Sequence, residues 1–412
     1  MIMQKIIFFV AYLLIYLQVF AQTTVVRGKV MAADTQVPLP FVSIGVQDFT
    51  IGTVTNVEGL FELVLPKKNA CLFFSYIGYQ TETLCITKND TTSYYIVSLK
   101  SQAKELDAFV VTKKKIPKAE KILRRVIDNL PNNYPQKAYN TALFYREWLK
   151  DTTSYVRLVE AALETYDSQG FKGNTPITNI ITVVKQLRYS KDYSQLKDNN
   201  FIVDTDFSTK NNWLRTGAII FNPKNWEKIQ FEHLGYTTQN DSLVHKINFQ
   251  SKIVGQYENL QGTLYVNDAD FAVLKIEFTY HIAFQSVNSI EIGSKQNVYN
   301  IKYTGAETII YKKFEKQYFT SYQNKLLTYS YYPNPRTFKK MTSQTYTEQL
   351  THQVIINPLN PIKESSSQKE ITLLQYDENF WQNYTILSDS PLELQIKHQL
   401  EEYEQLEKQF KK

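Results

Sequence analysis

The sequence predicts a mainly β protein with some α: an N-terminal antiparallel β-sandwich, then a curved, half-barrel-like antiparallel sheet with packed helices. Three observations carry this. Seven short β-rich runs between Val25 and Leu99 are punctuated by Gly, Pro, Asn and Lys, and strands that short must cover their apolar face with a second sheet. From Val244 onward, longer strand-like runs follow one another through short connections. Tyr and Phe, at 29 and 24 of 412 residues, outnumber the 13 Gly several-fold, a composition that suits long strands and argues against a glycine-cradled nucleotide site.

The first element, residues 1–21, reads as an export signal. Lys5 precedes the nearly unbroken apolar run Ile6–Phe20, and Val19-Phe20-Ala21 fits the small-residue cleavage pattern. The apolar run is shorter than the ~20 residues a membrane-spanning helix prefers. The only two cysteines are Cys71 and Cys85, so a lipoprotein cysteine beside the cleavage site is excluded. The expected location is therefore the periplasm or the outer-membrane surface. The formal charge of +6 is thinly spread and does not describe a nucleic-acid partner.

The sandwich is expected over residues 22–105, with strands at Val25–Val30, Phe41–Val46, Thr53–Val54, Leu60–Leu65, Cys71–Tyr76, Thr83–Ile86 and Tyr94–Leu99. Asn56-Val57-Glu58-Gly59 reads as a tight turn, with Gly59 supplying positive φ. Cys71 and Cys85 lie equidistant from Gly78, so a hairpin turning there sets them opposite each other. An oxidising compartment would close the bridge; a one-residue shift of the turn would leave two reduced, apolar-packed thiols.

Gly28-Lys29-Val30, Pro38-Leu39-Pro40-Phe41-Val42-Ser43-Ile44, Gly52 through Phe61 and Ser75-Tyr76-Ile77-Gly78-Tyr79 together resemble the carboxypeptidase regulatory-like domain. The resemblance implies a transthyretin-like sandwich that is not itself catalytic. It also implies a setting beside catalytic domains or at the front of outer-membrane transporters and other surface proteins.

Residues 106–130 form a basic linker and helix: Lys113, Lys114, Lys115, Lys118, Lys121, Arg124 and Arg125 stand against Glu120. Leu123, Val126, Ile127 and Leu130 make one apolar stripe. Such a helix either docks by its stripe with its basic face solvated or makes a peripheral contact with anionic lipid.

The β-rich domain is expected over residues 131–388. Asn129-Leu130-Pro131-Asn132-Asn133-Tyr134-Pro135, Phe144-Tyr145-Arg146-Glu147, Glu160-Ala161, Tyr166 and Phe380-Trp381-Gln382-Asn383-Tyr384 resemble a family of exported Bacteroidota proteins without an assigned reaction. Strands are expected at Ala142–Leu149, Tyr155–Tyr166, Val244–Ile253, Gly262–Val266, Phe271–Tyr280, Val298–Tyr303, Thr308–Phe314, Gln317–Tyr322, Leu326–Tyr332 and Thr345–Ile356. The hairpin Gly262–Ile276 is similar to those of lipoprotein-carrier half-barrels, which implies a sheet able to shelter an acyl chain. Residues 389–412 read as an amphipathic helix: Ser390 and Glu393 form a capping box around Pro391, and apolar residues recur every three or four positions to Phe410.

Catalytic signatures are absent. The five His show no H-E-x-x-H spacing, there is no G-x-S-x-G or G-x-G-x-x-G, and two S-x-x-K matches lack their companion elements. No cofactor or metal is expected. Arg146, Glu147 and Glu160 interrupt an apolar, aromatic hairpin and form the candidate polar cluster, either fixing strand register as an ion pair or binding a polar headgroup or peptide. The expected function is a non-enzymatic envelope module that binds or docks a protein, a glycan or an apolar ligand. The rival is a hydrolase or glycan-processing enzyme whose acids come from distant strands.

Overall fold

The computed structural model describes residues 24–65, 69–87, 94–102, 117–171, 180–193, 212–255, 257–282, 290–292, 296–332 and 341–410. The expected signal segment and the Lys113–Lys115 run lie outside them. Among the described residues no helix is long and apolar enough to cross a membrane.

Seven strands build the N-terminal unit: β1 (Thr24–Ala32), β2 (Ser43–Val46), β3 (Gly52–Val54), β4 (Leu60–Leu65), β5 (Ala70–Ser75), β6 (Glu82–Ile86) and β7 (Tyr94–Leu99). They form two sheets, ordered β4-β1-β7 and β3-β2-β5-β6. In β4 the two-residue period is clean: Phe61, Leu63 and Leu65 are buried, while Leu60, Glu62 and Val64 are half-buried. The buried set packs with Val26, Val30, Ile44, Phe74 and Leu99 between the sheets. One pair departs from the antiparallel expectation: β1 and β7 run parallel. A hairpin forces reversal, whereas β7 reaches β1 by crossing from the other sheet, which leaves its direction free. In the Asn56–Gly59 turn, Asn56 Oδ1 accepts from the amides of Glu58 and Leu60, both at 2.9 Å. Gly59 has φ +72°, and a Cβ there would sit 2.5 Å from the Val30 carbonyl oxygen.

Cys71 and Cys85 are register partners on β5 and β6 and form a disulfide. Replacing both by Ser should lower the unfolding free energy of the N-terminal unit by about 3 kcal/mol, through the freed loop of the unfolded chain. Chemical denaturation checks this, and an unchanged midpoint would show that the bridge adds nothing to the hairpin.

Helix α1 (Ala119–Asn133) leads into β8 (Tyr139–Asp151), β9 (Ser154–Asp167) and β10 (Ile180–Tyr189). After the short α2 (Trp213–Thr216) come β11 (Gln230–Gln239), β12 (Ser242–Val254), β13 (Tyr257–Asn267), β14 (Val273–Ile282), β15 (Ile290–Ile292), β16 (Gln296–Phe314), β17 (Gln317–Tyr332) and β18 (Met341–Ile355). All eleven belong to one open sheet, ordered β10-β9-β8-β18-β17-β16-β14-β13-β12-β11, with β15 paired to the far end of β16. After β10 the chain crosses to the opposite edge and meanders back, until β18 lies antiparallel beside β8. Four expected strands merge into two here, because Val298–Phe314 is one strand and Gln317–Tyr332 another. Gly305, between the two expected runs, lies beneath the Tyr280 ring, where a Cβ would come within 2.2 Å of Tyr280 Cζ.

The sheet separates its residues onto two faces. On one, Ile247, Phe249, Leu264, Ile276, Phe278 and Ile309 join Ile122, Leu123, Val126 and Leu130 of α1 in a single core with Trp213 and Leu214. This fixes α1 as docked by its apolar stripe. The other face carries the sandwich at one end, with Phe41 stacked on Tyr322 at 5.1 Å and Val54 in one cluster with Ile310 and Leu350. The C-terminal segment divides between the faces: Ile371 of α3 (Gln368–Leu373) packs with Tyr145, Ala161 and Leu187 on the α1 side near β10, whereas α4 (Glu378–Gln382) and α5 (Pro391–Glu401), leading to α6 (Leu406–Phe410), lie on the sandwich side. Ile396 and Leu400 of α5 cluster with Trp148 and Leu158. The Ser390–Glu393 capping box forms as expected. The expected single C-terminal helix is instead split after Glu401, where Gln409 Nε2 folds back to donate to the Leu400 carbonyl at 3.1 Å.

Candidate binding groove and buried charge row

Because α1 and its core fill one face of β11–β14, alternation turns the polar residues of these strands outward onto the other face. Strand register aligns them into a row: Glu232 faces Asn248, which faces Thr263, Glu277, Thr308 and Asn324 in turn. A second row runs beside it through Gln230, Gln250, Gln261, Thr279, Ala306, Leu326 and Tyr346. Both line a groove of about 880 Å³, within the size range of ligand sites. Gln250 Nε2 donates to Gln230 Oε1 at 2.6 Å, and Thr263 Oγ1 donates to Asn248 Oδ1 at 2.9 Å. Glu277 is held by Lys275 at 2.5 Å.

The first row continues under the covered half of the sheet, from Asn324 to Glu348, Arg146, Glu160 and Arg188. Here it becomes a buried charge network. Arg146, 1% exposed, donates from Nε to Glu160 at 2.7 Å, from Nη1 to Glu348 at 3.1 Å, and from Nη2 to Asp389 at 2.8 Å and the Leu387 carbonyl at 3.1 Å. Arg188 takes the second oxygen of Glu160 at 2.6 Å, and Lys397 takes the second oxygen of Asp389 at 2.6 Å. Tyr322 and Tyr346 both donate to Glu348 Oε2, at 3.0 and 3.1 Å. Burial opposes the charge of Arg146, but Glu160, Asp389 and Glu348 outweigh it and hold the guanidinium pKa well above its usual value. Burial would likewise raise Glu160, yet Arg188, Lys397 and Arg146 keep it well below the ordinary carboxylate range. At Glu348 burial wins and its pKa rises.

The structure thus brings Arg146 and Glu160 together and sets Glu147 apart. Adjacent strand residues point to opposite faces, so Glu147 lies on the α1 side of the sheet, bound by Arg157 at 2.6 Å and the Tyr145 hydroxyl at 2.9 Å. Glu348, Asp389 and Arg188 escaped the sequence reading because topology alone makes them neighbours. The amide and hydroxyl lining of the groove left a fainter trace, a polar residue at every second position of β11–β14. Asp268 and Asp270 sit in the turn between β13 and β14, where Asp270 Oδ1 accepts from Asn267 Nδ2 at 2.8 Å and from the Ala272 amide at 3.2 Å. Asp268 also lies 2.9 Å from His245, whose Nδ1 is 2.8 Å from His233 Nε2. Among the described residues no three His, Cys, Asp or Glu are placed to hold a metal ion.

Residues 26–111 match the CarboxypepD_reg-like domain. The CarboxypepD_reg-like unit therefore coincides with the sandwich and its connection to α1. Over 107 residues the chain is 32% identical to TonB-dependent receptor P3 of Formosa agariphila, a match spanning 26% of this chain and 10% of the receptor. Among solved structures, a LolA superfamily protein from Nitrosomonas europaea aligns at 11% identity and a TM-score of 0.20, covering 59% of this chain and 96% of that one. A DUF1329 family protein from Desulfovibrio piger aligns at 10% identity and a TM-score of 0.25, covering 58% and 94%.

Proposed function

We propose that this chain is an envelope binding module whose groove, on the sheet face opposite α1, holds a polar, hydrogen-bonding ligand, with the CarboxypepD_reg-like unit as its docking end. The carrying observation is the floor of the groove over β12–β14: the two rows present amides, hydroxyls and a carboxylate where an acyl site would present hydrocarbon, and apolar lining from the rows enters only at Ala306, Leu326 and Tyr346 at one end. Stripping water from each such group without replacing its hydrogen bonds costs about 1–3 kcal/mol, so the groove favours a ligand that restores them. The envelope setting is supported by the regulatory-like unit, the receptor relative, the export signal read from the sequence and the disulfide, which suits an oxidising compartment.

Thr279→Trp tests the reading, since Thr279 is exposed in the groove and an indole there fills it. Native mass spectrometry of the full chain, purified from its own envelope, should show a water-extractable bound mass on the wild type that the variant lacks. A bound mass that only solvent extracts, or one the variant keeps, would overturn it.

A further inference from the structure

Resting on the groove assignment above, we infer that the groove's ligand is an uncharged saccharide chain, laid across β12, β13, β14 and β16.

The charge pattern gives the first argument. The carboxylate inside the groove, Glu277, is already neutralised by Lys275 at 2.5 Å and also accepts from the Tyr265 hydroxyl at 3.3 Å. Glu307 belongs to the opposite face, where it accepts from Tyr280 at 2.6 Å and lies 3.3 Å from Lys325. Glu232 stands on the edge strand β11, at the rim. What remains along the floor is neutral: Asn248, Gln250, Gln261, Thr263, Thr279 and Thr308. An anionic ligand would find no cluster of cations there, and a cationic one would have only the rim carboxylate.

Geometry gives the second. Neighbouring strands place these groups about 4.8 Å apart in a line across the sheet, a step comparable with that between successive sugars in an extended chain. The side-chain bonds within the rows leave donors and acceptors to spare. With Gln250 Nε2 given to Gln230 Oε1, Gln250 keeps a carbonyl acceptor and Gln230 an amide donor, which together suit a pair of adjacent hydroxyls. At the far end Leu326 and Tyr346 add an apolar platform, with the Tyr346 ring stacked on Trp148 at 5.2 Å. A pyranose presents both surfaces at once: hydroxyls at its edge and C–H groups on its face.

The floor also suits a saccharide better than a peptide. Extended peptides gain most from adding to a free sheet edge through main-chain bonds. Beneath this groove the backbones of β12, β13 and β14 are already paired on both sides, so the floor offers only side chains.

The test measures binding of the full chain to an array of neutral oligosaccharides, uronate-bearing oligosaccharides and unstructured peptides, and to phosphatidylglycerol vesicles, at low and at high salt. Neutral members should bind, with an affinity about unchanged by salt because no ion pair is made. Gln250→Ala and Gln261→Ala should each weaken them about 2- to 10-fold, and Thr279→Trp should abolish binding, with melting curves confirming folded variants. Binding confined to uronates, peptides or vesicles but still blocked by Thr279→Trp overturns the saccharide assignment and leaves the groove intact as a polar site. Saccharide binding that Thr279→Trp does not affect overturns both, and silence across the array overturns the saccharide assignment.

Discussion

Arg146→Ala should destabilise the chain by about 3–5 kcal/mol, the range for removing one partner of a buried charge network. The guanidinium answers Glu160, Glu348 and Asp389 together and also satisfies the Leu387 carbonyl, so the truncated protein buries carboxylates that have lost a shared cation. Arg188 and Lys397 soften the loss at Glu160 and Asp389, whereas Glu348 keeps only the two tyrosine hydroxyls. Because the network pins residues 387–389 across β8, the variant should also expose the C-terminal segment to protease before the rest of the sheet. Arg146→Lys should recover only part of the stability, since an ammonium cannot serve three acceptors in the plane of the guanidinium fork. Urea denaturation followed by circular dichroism measures this, and a loss below about 1 kcal/mol would show that the network only fixes register.

Lys312 governs the second large effect. Its ammonium reaches from β16 into the sandwich and donates to the Ile44 carbonyl at 2.9 Å. A Cβ on Gly45 or Gly52 would lie 2.6 or 2.8 Å from Lys312 Nζ, so the two glycines form the slot that receives it. Burial pulls its pKa from 10.5 down to about 7. The sign follows from the depressed value. Below pH 7 folded and unfolded chains both hold the proton and the burial penalty is complete; between about 7 and 10.5 the unfolded chain binds the extra proton. Stability should therefore rise with pH across that window, by up to about 1.4 kcal/mol per unit. Lys312→Met should be the more stable protein at pH 7 and should lose this rise. Parallel pH-dependent denaturation of the two chains decides it, and equal slopes would mean that the amine reaches water.

Much of the fold was legible because it rests on local alternation. Leu60–Leu65 and Tyr94–Leu99 read directly as strands, and the symmetry of Cys71 and Cys85 about Gly78 anticipated their register. β10 and β11 are less legible because each breaks its own alternation with a register shift, between Val184 and Gln186 in β10 and between His233 and Tyr236 in β11. The site was legible only where its members share a hairpin. Arg146 and Glu160 are cross-strand partners across one turn, and their pairing follows from it. Glu348 is 202 residues from Arg146, and no local pattern announces that contact. The groove was hidden for a different reason. Polar residues on the outer face of a strand look alike whether they meet bulk water or a ligand, and only the assembled sheet, which draws the lining from strands between β11 and β18, makes a concavity.

The pairing of β8 with β18 also sets the order in which this sheet can be assembled. Synthesis delivers β8, β9 and β10 early, yet the inner edge of β8 stays unpaired until residues 341–355 arrive. Closing so long a loop taxes chain entropy before any contact repays it, and the waiting edge is a template for pairing with other chains. The meander β11–β18 has no such debt, since each of its hairpins closes locally. The physical expectation is a chain whose second half forms first and whose rate-limiting step is the capture of the early three-stranded ribbon. A truncation ending before Met341 should leave that ribbon exposed and prone to aggregate, while the CarboxypepD_reg-like unit ahead of it still closes its own core.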